Sequence, residues 1–217
     1  MKSFSLPFLL FLTVISVGLS AQAQKATPCP SAHQQTAIPL KVSKAARGRV
    51  RITNGKFQAV VDLEKDISGC FDLYDPTDRK FRVKDSAGIT VIDIVSKDAK
   101  HYIVLLADAE SNCNVQGHCG AARDYTLIWL KLDDHLKLED KRAAVIEDCR
   151  SSIFVIEPDY PREPDKDLEL KLVDGKLNLK YGDISKDSAD SSRLIYDRNA
   201  PEKSFLITTE KAKSLRH

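Results

Sequence analysis

YTLIWLKLDDHLKL, residues 125–138, decides the fold. Apolar side chains occupy both parities of Tyr125–Leu132: Tyr125, Leu127 and Trp129 fall on one side, Ile128, Leu130 and Leu132 on the other. A strand that is apolar on both faces is buried on both, so this segment is expected at the centre of a sheet. Asp133-Asp134-His135 then turns the chain as a three-residue loop. That turn sets Leu132 opposite Leu136 and Leu130 opposite Leu138.

Two further hairpins flank this one along the chain. Asn54-Gly55 is a dipeptide that tolerates φ > 0 at both turn centres. Placing Thr53 opposite Lys56 pairs Ile52 with Phe57 and Val50 with Ala59 on one face, leaving Arg51 and Gln58 on the other. Asp174-Gly175 makes a second such turn, with Val173 facing Lys176, Leu172 facing Leu177, Leu170 facing Leu179 and Leu168 facing Tyr181. The period of two and the interruption at Gly175 rule out a helix over 168–181. One apolar and one polar face describe a half-buried antiparallel sheet. Ile89–Ser96 and His101–Ala107 are rich in β-branched and aromatic residues and are expected as strands. Ala143–Cys149, Ser152–Ile156 and Ser204–Thr209 follow as strands, and 183–193 as a helical turn or a loop. Short strands separated by closely spaced turns make the fold class all-β, mainly antiparallel strands and hairpins, arranged as a sandwich, barrel or meander.

The N-terminus carries an address. Lys2 precedes the apolar run Phe8–Leu19, and Ala21-Gln22-Ala23 gives the small-x-small pattern cut by a signal peptidase. The run is shorter than the about 20 apolar residues that span a bilayer. Residues 1–23 are therefore expected to be a signal peptide, with a mature chain starting at Gln24 that has no transmembrane segment and is secreted or periplasmic. Residues 24–44 lack periodicity and read as a flexible leader, and 45–217 as a single β-rich domain. Pro158, Pro161 and Pro164 recur every third residue in EPDYPREPDKD. That spacing favours polyproline II, as a stiff surface loop or as a joint before a small C-terminal hairpin unit.

Lys+Arg 33 against Asp+Glu 31 leaves a net charge of +2, so no global field selects a polyanionic or polycationic partner. Nucleic acid is excluded further by export. The chain has five cysteines. In an exported protein disulfides are the expected state. An odd number leaves one thiol over, and Cys29, in a polar Pro-rich stretch, is the expected spare. Cys70, Cys113, Cys119 and Cys149 are then the disulfide candidates. Connectivity stays open: Cys113 and Cys119 close a small loop with each other, or one of them reaches Cys149 or Cys70, and a Cys119–Cys149 bond would link the start of the Trp129 strand to the strand after its hairpin.

SNCNVQGHCGAAR, residues 111–123, is the most unusual segment. Besides a disulfide, Cys113, His118 and Cys119 offer metal ligands or a reactive thiol. Their spacing matches no zinc knuckle, and no Cys-x-x-Cys is present. Asp183, Ser185, Asp187 and Asp190 imitate a calcium loop, but Ser188 and Leu194 stand where Gly and Glu are required. No Gly-x-Ser-x-Gly and no His-Glu-x-x-His occurs. Lys41, Lys44, Arg47, Arg49 and Arg51 form a basic cluster, and alternation sets Arg47, Arg49 and Arg51 on one strand face. This is a solvated edge or an anion-binding face. Arg47, Arg49, Arg51, Trp129 and His118 are the binding candidates, and no catalytic residue, cofactor or resident metal is assigned. The expected function is an exported β-rich binding or accessory domain, non-enzymatic and inhibitor-like or envelope-associated, with an unknown protein or envelope ligand as partner. The alternative is a metal- or thiol-dependent enzyme centred on Cys113, His118 and Cys119.

Overall fold

A computed structural model of the chain describes residues 39–158, 168–183 and 190–211. The expected signal peptide, most of the expected leader, Cys29, Pro161, Pro164, Ser185, Asp187 and Ser188 lie outside the described residues. The rest is nearly all antiparallel β-structure. Its strands are β1 (Lys41–Lys44), β2 (Arg49–Thr53), β3 (Gln58–Asp62), β4 (Leu73–Tyr74) and β5 (Arg82–Val83). Then come β6 (Gly88–Lys97), β7 (Lys100–Glu110), β8 (Arg123–Asp133) and β9 (Leu138–Glu147). The last are β10 (Ile153–Pro158), β11 (Lys176–Asp183), β12 (Ser191–Asp197) and β13 (Leu206–Glu210), with a short 3-10 turn at Pro201–Lys203. Every sheet is a meander of consecutive strands: β1-β2-β3, β4-β5, β6-β7-β8-β9 and β10-β11-β12-β13.

The sheet β6–β9 is the middle layer. Ile103, Leu105 and Ala107 of β7, with Ile128, Leu130 and Leu132 of β8, pack on one side against Val50, Ile52, Val61 and Leu63. Tyr102, Val104 and Leu106, with Tyr125, Leu127 and Trp129, pack on the other side against Leu177, Leu179, Leu194 and Tyr196. The doubly apolar pattern of 125–132 thus marks a strand covered by a sheet on each face. Asp93 enters this core where β6 bulges between Val91 and Asp93. The Tyr196 hydroxyl donates to its carboxylate at 2.9 Å, so the buried acid has a partner in the facing sheet.

The turns explain where register departs from expectation. Asp174 (φ 49°) and Gly175 (φ 74°) are both left-handed, and Val173 pairs with Lys176, as the dipeptide predicts. Upstream of that pair the expected hairpin does not form. Residues 168–172 are not a strand, and β10 lies beside β11 in their place, with Val155 opposite Tyr181. Leu168 and Leu170 are nevertheless buried against the core, so the alternation reports burial correctly and the pairing partner wrongly.

The first hairpin is shifted. Thr53 pairs with Gln58, Ile52 with Ala59 and Val50 with Val61, in place of Ile52 with Phe57 and Val50 with Ala59. Asn54 closes the turn itself. Its Oδ1 accepts the amides of Lys56 (3.1 Å) and Phe57 (2.7 Å), and its own amide donates to the Phe57 carbonyl. The loop becomes Gly55-Lys56, with Gly55 at φ 81°. Moving the turn by one residue moves the partners by two, which preserves the faces.

The loop after β8 moves in the same way. The Asp133 amide donates to the Lys137 carbonyl at 3.0 Å, so the three loop residues are Asp134, His135 and Leu136. Leu132 therefore pairs with Leu138, not Leu136. A bulge next to it then sets Leu130 against Lys141, not Leu138. The Asp133 carboxylate fixes this loop by accepting the amides of His135 (3.0 Å) and Lys137 (2.7 Å). Leu136 takes the left-handed conformation (φ 64°), and its side chain is buried in the core.

Candidate functional site

The cysteines organise one end of the molecule. Cys70 is bonded to Cys113 (Cα–Cα 5.3 Å) and Cys119 to Cys149 (Cα–Cα 6.0 Å). Cys113 and Cys119, with five residues between them, thus belong to different bonds. The first bond anchors the chain just before β4. The second ties the loop before β8 to the end of β9. Closing loops of 43 and 30 residues removes unfolded-chain entropy worth about 3–4 kcal/mol each.

Loop 111–122 is built around these bonds. Gly120 is required because a Cβ there would run into the Val115 carbonyl. The Asn112 side-chain amide donates to the His118 carbonyl at 2.9 Å, and its Oδ1 accepts the Asn114 amide at 3.0 Å. Asp124 pins the base of the loop. Its fully buried carboxylate accepts the Cys149 amide (3.1 Å) and the hydroxyls of Ser68 (3.1 Å) and Ser111. A buried carboxylate with three donors is a structural fastener.

The sequence-derived binding candidates separate. Trp129 is 1% exposed and donates its indole N–H to the Pro201 carbonyl at 2.9 Å. It is a core residue and offers no surface to a ligand. Arg47 is in the turn before β2, at φ 49°, and is not on the strand face with the other two. It pairs with Glu64 and Asp72, each at 3.3 Å, and Arg49 pairs with Asp62 at 3.1 Å. A run without acids in sequence meets acids across the sheet. Arg51 is exposed on β2, opposite Val60. His118 is exposed. Its ring and the sulfurs of Cys119 and Cys149 lie within 4.8 Å of one another. Both sulfurs are in the disulfide, so the thiolates a zinc site requires are not offered there.

The structure adds a site that the sequence reasoning missed. Strands β4 and β5 form a short hairpin, with Leu73 opposite Val83 and Tyr74 opposite Arg82. The hairpin lies on the disulfide-bonded loop: the Tyr74 amide donates to the Cys113 carbonyl (2.8 Å) and the Val115 amide to the Tyr74 carbonyl (3.1 Å). The Gln116 side chain donates to Asp75 at 3.1 Å. Asp75 also accepts the hydroxyl and amide of Thr77. The Thr77 hydroxyl, followed by Gln116, lowers the Asp75 carboxyl from 3.8 to about 2.

This hairpin exposes apolar surface beside cations. Tyr74, Phe81 and Val83 are 39%, 38% and 39% exposed. Arg79, Lys80, Arg82 and Lys84 surround Phe81 and Val83 in the chain. The Arg82 guanidinium lies 5.5 Å from the Tyr74 ring centre, a cation–π distance. Among the described residues, the side chains of Arg79, Lys80 and Lys84 have no carboxylate partner. The flanking acids are engaged elsewhere, Asp72 with Arg47 and Asp85 with Lys44. A groove of about 300 Å³ opens here, lined by Asp72, Leu73, Tyr74, Arg82, Val83 and Lys84. The signal available in the sequence was the alternation of cations with Phe81 and Val83. Strands of two residues give no periodicity, which is why the hairpin itself was not legible.

Comparison of the chain with protein-family models, curated proteins and solved structures gives no match. No helix among the described residues is long and apolar enough to cross a membrane.

Proposed function

We propose that this chain is an exported, non-enzymatic binding or accessory domain that takes an anionic partner on the β4–β5 hairpin. The observation that carries the reading is the set of cations at Arg79, Lys80 and Lys84 that have no carboxylate partner among the described residues, beside exposed Phe81 and Val83. Cations that serve only solubility are usually interspersed with acids. Here no acid falls between residues 79 and 84, the cations flank apolar side chains, and the surface beneath them is held by a disulfide. The two disulfides fit the extracytoplasmic address suggested by residues 1–23. The test is binding of soluble inorganic polyphosphate to the oxidised protein. The expected result is salt-sensitive binding that Lys80→Glu/Lys84→Glu abolishes. Binding unchanged in that variant overturns the reading.

A second reading is supported by one contact set. His118 beside Cys119 and Cys149 would form a metal- or thiol-dependent centre if the bond between the sulfurs were open. Thiol labelling of the native protein separates the two. Labelling at Cys119 and Cys149, with zinc retained, favours the enzyme; no labelling at these positions favours the binding domain.

A further inference from the structure

We infer that the anionic partner is a lipid bilayer surface, and that the β4–β5 hairpin is its interfacial contact; this rests on the anion-binding reading above. Soluble polyanions and bilayers both offer phosphates, but only a bilayer offers an apolar layer beneath them. The hairpin matches that order. In residues 79–84 Phe81 and Val83 are each flanked on both sides by a cation. If the two apolar side chains enter the headgroup layer, Lys80, Arg82 and Lys84 are carried to phosphate depth. Tyr74, with its ring under Arg82, adds an amphipathic side chain of the kind that settles at this level.

The charges favour the same partner. Asp72 and Asp85 are paired with Arg47 and Lys44, outside the hairpin. Asp75 and Asp78 remain to oppose the cations of 79–84. Asp75 is turned toward Thr77 and Gln116, and Asp78 toward the Lys80 amide. Each Lys or Arg close to an anionic leaflet strengthens binding about fivefold. With two acids subtracting, the expected contact is weak, reversible and salt-sensitive.

The experiment is co-sedimentation of the oxidised full chain with vesicles of phosphatidylcholine alone or mixed with phosphatidylglycerol, alongside the polyphosphate titration. Phosphatidylglycerol vesicles should bind the protein and phosphatidylcholine vesicles should not. Lys80→Glu/Lys84→Glu should reduce vesicle binding by more than tenfold. Phe81→Ser should weaken vesicle binding severalfold and far more than it weakens polyphosphate binding, with an unchanged melting temperature as the control for folding. Equal binding to both lipids, or vesicle binding indifferent to Phe81→Ser, overturns the inference. Polyphosphate binding without vesicle binding overturns it too, but leaves the anion-binding face standing. Binding to neither overturns both.

Discussion

The middle sheet and the β4–β5 end of this protein are held by different forces. Strands β7 and β8 are apolar on both faces and covered on both, so burial adds to their backbone pairing on each side. The β4–β5 hairpin has strands of two residues, exposes Tyr74, Phe81 and Val83, and is fastened by disulfides and loop hydrogen bonds. Apolar burial gives a region with no surface to spare, cross-linked at one end by Cys119–Cys149. Cross-linking allows a region to keep apolar side chains outside, where a partner can reach them.

The largest effect that would break this contrast lies in the core. Trp129→Ala should cost about 3–5 kcal/mol in denaturant unfolding, with loss of the Pro201 hydrogen bond included. A loss of a few tenths would mean that the middle layer is not held by burial. Next is the disulfide pair. Cys119→Ser/Cys149→Ser should cost about 2–4 kcal/mol in oxidised protein and should make proteolysis within 111–122 faster. An unchanged melting temperature would remove the covalent half of the contrast.

These two regions also differ in how much the sequence discloses. Residues 125–132 are legible because burial on both faces leaves apolar side chains on both parities. Asp174-Gly175 is legible because its turn needs two left-handed residues, and that dipeptide supplies them. Asn54-Gly55 and Asp133-Asp134-His135 misplace the register because one side chain, Asn54 or Asp133, accepts amides and moves the turn by a residue. Residues 168–172 carry the right apolar pattern, but β10 occupies the edge of β11 they were expected to fill. Arg47 and Arg49 look free because their carboxylates come from Asp62, Glu64 and Asp72, remote in the chain. The hairpin at 73–83 is hidden for the opposite reason. Its alternation of cations with Phe81 and Val83 spans too few residues to announce a strand, and what secures it, the partner choice among cysteines, is a property of the folded chain.

Smaller effects sharpen the picture of the turns. Asp98 and Ala99 form the two-residue loop between Lys97 and Lys100, at φ 52° and 55°. Left-handed backbone at Ala99 is strained, and Ala99→Gly should stabilise the protein by about 0.5–1 kcal/mol after the glycine's entropy is discounted. A destabilised variant would show that this hairpin is under no such strain. The smallest effect concerns acid. With its carboxyl lowered from 3.8 to about 2, Asp75 favours the folded hairpin above pH about 4 and loses that contribution as pH falls through about 2. Carboxylate titration by NMR should place its midpoint near 2, and Thr77→Val should move the midpoint upward. A midpoint at the ordinary value would mean that the Thr77 contact does not hold the loop.

Hydrogen exchange before and after gentle reduction with a small thiol tests the contrast most directly. Amides of β7 and β8 should stay protected, while the Tyr74 and Val115 amides open and polyphosphate binding is lost. Melting of β7 and β8 together with the hairpin, or a hairpin that stays closed and still binds, would contradict the account.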